Sequence, residues 1–517
     1  MEESGAWPLL LLSLAASLLF LLYRRTHGGR KNSTPTPRSD QGNGRRLPPG
    51  PPTLLFLAKF LSLRRSVFDL GPLLRELHAR HGPVISLRLL FATHVFVADR
   101  RLAHAALVQG GATFADRPPV VDPESLFSAG GRDINTSTYG PYWRLVRRNL
   151  ATEALHRGRV SLFEPARRSA CDALVTSLRA RAGGAAAADT VTLRPFLRRA
   201  MFELLACMCF GARLGKEAID EMEELQHRMI LSYTTFPVFA FFPAVTKRLF
   251  RKWWAAYVDL ARRLDEVFVP LIHATRGAGG GGNDDDPPCY ADSLRALRVA
   301  EEGDRPLTDA EMSSLCSEFL TGGTDTTVTL VEWIMAELVN RPDVQAKVHD
   351  EVKNAPDGDL QQSMPYLKAV VLEGLRLHPP GHFVLPHAVR TDAEIGGYTV
   401  PKGAEVNFLV AEMGRDEAVW TAAREFRPDR FVDGGEGRDV DITGTKEIKM
   451  MPFGAGRRMC PGYALGMHHA EYFVARLVRD LEWLPPSADG EVVDMAEQME
   501  FTTVMKYPLR ARIVPRN

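Results

Sequence analysis

A chain of 517 residues with 45% hydrophobic and 25% charged side chains has the make-up of a large globular protein with an ample core. Its 64 Lys and Arg stand against 63 Asp and Glu, so nothing in the charge balance points to a nucleic-acid partner. The six cysteines are scattered, with no C-x-x-C pair and no zinc-finger spacing; this does not read as a disulfide framework and favours a reducing compartment.

In chain order, Trp7 to Tyr23 is an unbroken apolar or small-residue run at the lower limit for a bilayer span. Glu2 and Glu3 precede it, and Arg24, Arg25, Arg30 and Lys31 follow it. A cleaved signal peptide carries its positive charge on the other side, so the pattern predicts a retained single-pass signal anchor over 1–23, with the rest of the chain facing the cytoplasm. Residues 24–53 form a polar, flexible linker that ends in the stiff hinge Leu47-Pro48-Pro49-Gly50-Pro51-Pro52. A single folded domain is expected over 54–517.

Leu70 to Arg80 has helical apolar spacing, and Val84 to Leu89 and Val95 to Ala98 alternate as two short strands. Further strand-like pieces occur at Ile395 to Val400, at Glu405 to Leu409 and at the C-terminus, while most of the remainder reads helical. The fold class is therefore mainly α with a small β-rich part. Residues 182–188, 276–288 and 432–445 are biased in composition and read as loops. The second contains a G-x-G-x-x-G match, but Asp and Pro residues follow it where a dinucleotide site needs a helix, so the match is rejected. Met229 to Phe250 is unusually apolar and aromatic, with Lys247, Arg248, Arg251 and Lys252 close behind. It suits a membrane-interface segment over a substrate entrance and suits ordinary core packing equally.

The most informative helix is expected from Thr308 to Asn340, opened by the capping box Thr308-x-x-Glu311 and closed before Pro342. At ~1.5 Å per residue it is roughly 45–50 Å long, enough to cross a domain. Its middle, Gly322-Gly323-Thr324-Asp325-Thr326-Thr327, breaks the helix-propensity rule with two adjacent glycines, each costing on the order of 1 kcal/mol. Such a break marks a functional site and permits a bend or widened turn, beside which Asp325 and Thr326 supply an acid and a hydroxyl for moving protons.

Phe453-Gly454-Ala455-Gly456-Arg457-Arg458-Met459-Cys460-Pro461-Gly462 places one cysteine at the end of a glycine-punctuated basic loop, with an apolar helical pattern just after it. A cysteine beside arginines at a helix N-terminus is expected to have a depressed pKa, and Pro461 suits the first turn of the next helix. A lone thiolate with an arginine ready for a carboxylate fits an iron porphyrin better than zinc, which needs several protein ligands.

The spacing Phe453-x-x-Gly456-x-Arg458-x-Cys460-x-Gly462 resembles the haem-binding loop of the cytochromes P-450, and Gly322 to Thr326 is similar to their oxygen-activation motif. The wording of Phe319 to Thr327 and Met451 to Leu477 is nearest to plant microsomal members, families 89 and 77. The resemblance implies haem b (iron protoporphyrin IX) with Cys460 as its axial thiolate, Phe453 packed near the sulfur, and Arg458, Trp143 and Arg147 on the propionates. His387 is a third candidate at a position where many relatives carry arginine. It implies that Asp325 and Thr326 are the catalytic pair that delivers protons to bound oxygen. It further implies that Glu373 and Arg376, an i, i+3 pair that alone would read as a surface ion pair, are buried with Arg430 as a structural brace. Implied partners are an NADPH-dependent reductase, since the chain has no credible flavin or nucleotide site, cytochrome b5, a lipid membrane and a hydrophobic small-molecule substrate. NADPH would then act only through the reductase. Arg144, Arg148 and Arg457 would form the basic face for the electron donor. The implied activity is monooxygenation at the endoplasmic reticulum membrane; the alternatives are hydroperoxide rearrangement without O2 and a haem-binding sensor without turnover.

Overall fold

The helix Asp309–Asn340 is the axis around which the other elements pack. The computed structural model describes residues 46–53, 71–89, 92–182, 190–211, 214–235, 237–240, 242–274, 287–355, 364–487 and 491–516. The axis helix starts as its capping box predicts. The Thr308 hydroxyl accepts from the Glu311 amide at 3.2 Å, and the Glu311 carboxylate accepts from the Thr308 amide at 2.8 Å. It is buried on nearly every side, against helices Arg194–Phe210, Arg251–His273 and Tyr463–Asp480, so hydrophobic burial rather than amphipathic patterning holds it. Near its far end Trp333 stacks flat on His378 with centroids 4.4 Å apart and donates to the Thr503 carbonyl at 2.8 Å.

The helix runs unbroken through 322–327, with no widened turn at the glycines. The glycines make room instead. A Cβ at Gly323 would lie 2.7 Å from Leu205 Cδ1 on the neighbouring helix, whereas a Cβ at Gly322 would meet nothing within 4 Å. Gly322 is exposed in the middle of an otherwise buried helix, so it faces an opening inside the molecule.

The β-rich part has its own core, separate from that of the helical body. Its main sheet has the order Val84–Leu89, Ala92–Val97, Glu405–Phe408, His387–Ala388. The first pair is antiparallel, Ala92–Val97 runs parallel to Glu405–Phe408 with His94 opposite Glu405, and the last pair is antiparallel. The second strand starts three positions before the expected Val95, at Ala92. The expected strand over Ile395 to Val400 is a hairpin, Ala393–Ile395 with Tyr398–Val400. Gly396 and Gly397 take φ of +60° and +80° between them, a left-handed turn that only glycine makes cheaply. The proline hinge is docked rather than free: the Pro48 and Pro49 carbonyls accept from the Ser86 hydroxyl and amide at 2.6 and 2.8 Å.

The segment 229–250 divides between its two readings. Phe239 is buried among Trp253, Trp254 and Tyr257, while Phe242, Val245 and Leu249 are 43%, 51% and 53% exposed. Residues 432–445 form an irregular loop, as expected. The expected anchor over 1–23 lies outside the described residues, as do most of the loops at 182–188 and 276–288. Among the described residues no helix is long and apolar enough to cross a membrane.

The two glycines make opposite predictions for stability. Gly322→Ala gains helix propensity without a clash and should raise the unfolding free energy by up to about 1 kcal/mol. Gly323→Val must displace Leu205 and should lower it by about 1–3 kcal/mol. Denaturant titration of both variants measures the contrast.

Candidate active site

The cysteine loop is shaped by close approach. Gly454 and Gly456 have φ of +69° and +72°, and a Cβ on Gly456 would fall 1.9 Å from the Leu107 carbonyl oxygen. The Cys460 amide donates to the Phe453 carbonyl at 2.8 Å, closing the loop, and the Phe453 ring meets Tyr463 edge-on at 6.2 Å. The next helix begins at Tyr463 with Gly462 as its cap, so Pro461 stands just outside the first turn in which it was expected.

The expected depressed thiol is corrected by burial. Desolvation pushes the Cys460 thiol above its ordinary value, against the opposing Gly462 N–H and the Arg147 charge. The loop therefore orients a sulfur whose ionised form needs a further cation to persist. Among the described residues no three His, Cys, Asp or Glu side chains gather to hold a metal ion. A metal at Cys460 would need its other ligands from a bound group, as a porphyrin supplies them.

Beside the cysteine the structure gathers Arg458, Trp143, Arg147 and His387. The Arg458 guanidinium lies 4.5 Å over the Trp143 ring, with Arg147 at 5.8 Å. Trp143 Nε1 and Arg458 Nη1 both donate to the Ile134 carbonyl at 3.1 Å, and Arg147 donates to the Met459 carbonyl. Arg458 also reaches the Ala115 and Ser137 carbonyls, each at 2.6 Å. A third arginine, Arg117, was not read from the sequence: it donates to the carbonyls of Asn135, Leu385 and Pro386 at 2.7, 3.0 and 2.8 Å. A single arginine before two prolines carries no local signal of this role.

Burial, with Arg458 and Arg147 nearby, brings Arg117 down to about 9; burial, and Arg147, bring Arg458 down to about 10. Three guanidinium groups thus converge where each raises the cost of the others, with peptide carbonyls as direct acceptors. A flat ligand with two carboxylates is the partner that relieves this, so the donor set fits a haem. His387 Nδ1 sits 2.6 Å from the Phe114 carbonyl, and burial and the adjacent arginines push its ring down to about 3. It is a neutral donor in this cluster rather than a cation.

Asp325 and Thr326 sit on the axis helix beside the opening at Gly322. The Thr326 hydroxyl donates to the Gly322 carbonyl at 2.6 Å. Asp325 Oδ1 accepts from Arg198, another residue without a sequence signal, whose Nε also donates to Glu223 at 3.1 Å. Asp325 therefore pairs away from the arginine cluster at Cys460. Its Oδ2, and the Thr324 hydroxyl, are buried with no hydrogen bond among the described residues. An unpaired buried carboxylate oxygen is a free acceptor for a proton.

Glu373, Arg376 and Arg430 form one network. Glu373 and Arg376 have side chains 0% exposed and are joined by two hydrogen bonds of 2.6 and 2.8 Å. Arg376 also donates to the carbonyls of Gly414, Ala423 and Glu425 at 2.7, 2.6 and 3.0 Å, so every N–H of the guanidinium has its own acceptor. Arg430 Nε and the Arg427 amide complete Glu373 at 3.1 and 2.7 Å, and Arg430 also pairs with Glu436 from the 432–445 loop. Asp429 points outward to Lys347 at 3.3 Å. Trp420 lies under both arginines and donates to the Lys449 carbonyl at 3.3 Å, at the entry to the cysteine loop.

Removing one partner leaves a buried charge alone, so Arg376→Met should cost about 3–5 kcal/mol. Glu436→Gln, whose side chain is 30% exposed, should cost less than about 1 kcal/mol. Comparing midpoints and slopes in guanidinium chloride checks both.

The comparisons with known proteins follow the same lines. The family model described as Cytochrome P450 matches residues 48–510. The chain is 43% identical over 492 residues to Cytochrome P450 89A9 of Arabidopsis thaliana, covering 91% of this chain and 94% of that one. It is 32% identical to Cytochrome P450 98A1 of Sorghum bicolor, over 91% and 92% of the two chains. It is 29% identical to a Flavonoid 3'-monooxygenase of Crocosmia x crocosmiiflora, over 98% and 97%. Among solved structures, a zebrafish cytochrome P450 with progesterone superposes with a TM-score of 0.70 at 22% identity, over 87% of this chain and 100% of that one.

Proposed function

The chain belongs to the cytochrome P450 family and is one of its plant monooxygenases, allied to family 89, and from that premise we propose how its residues work and on what. It inserts one atom of O2 into a hydrophobic small molecule, with Cys460 as the axial thiolate of haem b and electrons from an NADPH-dependent reductase. The observation that carries this reading is the convergence of one oriented, half-buried cysteine with three neighbouring arginines.

Bound haem supplies the one-electron chemistry that activates O2 and transfers oxygen. The protein's residues hold and feed it. Arg117, Arg147 and Arg458 take the propionates with the N–H groups they do not spend on peptide carbonyls, and Trp143 remains on Ile134. Cys460 would hold the metal as its thiolate, and the Gly462 N–H and Arg147 would temper the charge on the sulfur. Asp325, fixed through Oδ1 by Arg198, presents Oδ2 to receive and pass on protons. Thr326, its hydrogen directed at the Gly322 carbonyl, keeps oxygen lone pairs toward the opening and accepts from that relay.

Arg144, Arg148 and Arg457 are exposed, and Arg144 and Arg457 lie over Tyr139 at 5.0 and 5.4 Å, which supports a basic face for the reductase and for cytochrome b5. The substrate is a hydrophobic small molecule: the similar proteins are named for flavonoid, aldoxime and diterpene oxidation, which supports the class without selecting a member. Residues 1–23 anchor the enzyme in the endoplasmic reticulum membrane, the hinge near Pro48 sets its tilt, and residues 54–517 face the cytoplasm as the catalytic domain.

Purified with reductase, Thr326→Ala should keep consuming NADPH while product falls and peroxide rises; unchanged coupling removes its assigned role. Asp325→Asn should slow substrate oxidation by about 10²-fold, measured as product per unit haem. A form lacking 1–23 should retain liposome binding that Phe242→Ser with Leu249→Ser abolishes; no residual binding in the parent form rejects the interface reading.

A further inference from the structure

Glu318 is a half-buried carboxylate on the axis helix that the reaction just described does not use. It lies four residues before Gly322 and eight before Thr326, hence on the same helical stripe. Both of its oxygens are committed: Oε2 accepts from the Ile134 amide at 2.9 Å and Oε1 from the Asn135 amide at 2.7 Å. The Asn135 N–H and the Ile134 C=O belong to one peptide unit, which is planar and points the two groups in opposite directions. The Ile134 carbonyl is the oxygen that Trp143 and Arg458 share. The Asn135 carbonyl is the one that Arg117 Nε uses.

We propose that Glu318 is the positioning residue of the arginine cluster, acting through the 134–135 peptide to aim the Ile134 carbonyl, which Trp143 also holds, so that Arg458 is directed toward a bound propionate, with Arg117 on the carbonyl of the next peptide. The peptide is a rigid two-ended connector. A carboxylate on its N–H end fixes its plane and polarises its carbonyl, making it a stronger acceptor for the cations at the other end. Charge balance agrees. Glu318 and Asp133 act on Arg117 and Arg458 against the burial that lowers them. Burial and Asp133 push the Glu318 carboxyl well up, and the two N–H donors and Arg147 act against that. The clamp thus joins the helix stripe that carries Gly322 and Thr326 to the opposite, cofactor-anchoring wall.

This rests on the haem reading and makes a separate demand of it. The experiment uses the haem-loaded full chain of the parent, Glu318→Ala, Glu318→Gln and, as control, Glu332→Gln. Glu332 is a buried carboxylate clamp on the same helix, but its partners are different ones, Arg194 at 2.6 Å and the Leu509 amide at 3.0 Å. A glutamine at 318 keeps the shape but turns an N–H donor toward one of the two amides, so the clamp opens at that end. Resonance Raman spectra report the propionate bending modes, and transfer to apomyoglobin reports haem loss. Both Glu318 variants should shift the propionate bands and speed haem loss by about 10–100-fold, while Glu332→Gln lowers the melting temperature and leaves the bands in place. Where the alanine variant does not accumulate, the glutamine variant carries the comparison. Parental bands and loss rates in Glu318→Gln, or equal shifts in Glu332→Gln, overturn the proposal. A parent chain without the thiolate CO-difference band overturns the haem reading itself.

Discussion

The whole arrangement leans on one guanidinium removed completely from water. Arg376 gives each of its N–H groups to a different acceptor atom, two on Glu373 and three on the carbonyls of Gly414, Ala423 and Glu425. A charge so deeply desolvated is tolerable only with every bond made, and making them gathers three stretches of chain at one point. Gly414 can be there only as glycine, since a Cβ would lie 2.4 Å from the Arg376 carbonyl oxygen. Trp420 continues the support to Lys449, and from there the chain runs into the cysteine loop. The brace does no chemistry. It sets where the loop starts, and the loop sets where the sulfur points.

At the site itself the dominant effect is charge brought together without full compensation. A half-buried thiol held away from ionisation and three arginines held below their usual range are separately unfavourable, and the same ligand relieves both. The distal side shows a similar economy. Asp325 is half satisfied by Arg198 and half unsatisfied, and Gly322 leaves an opening in a helix that is elsewhere packed solid.

What could be read from the residues was what local spacing records. The Thr308 capping box, the Glu373–Arg376 pair at i, i+3 and the glycine-bearing cysteine loop each lie within a few residues, and each has the geometry its spacing implies. Arg117, Arg198, Glu318 and Glu436 were silent because their partners are far away in sequence and the residues themselves are ordinary charged side chains. Two local inferences failed for one reason, that tertiary packing outweighs local chemistry. The adjacent glycines permitted a widened turn, yet the helix continues and Gly323 serves as clearance for Leu205, and the helix-terminal cysteine looked acidified but is dominated by its desolvation. The two-residue strands Val191–Thr192 and His387–Ala388 exist only through their partners, so no periodicity could announce them.

The approach of Gly456 to the Leu107 carbonyl has one more consequence. Leu107 belongs to the core of the sheet, as do Met451 and Ala455, whereas Met450, Leu465 and Phe453 pack with the helical body. The cysteine loop is therefore a seam stitched alternately into two cores, and its glycine is the point where the seam is drawn tight. Two units that could loosen independently are made to share a boundary at the sulfur. Loosening of either core at that boundary disturbs the loop that holds Cys460.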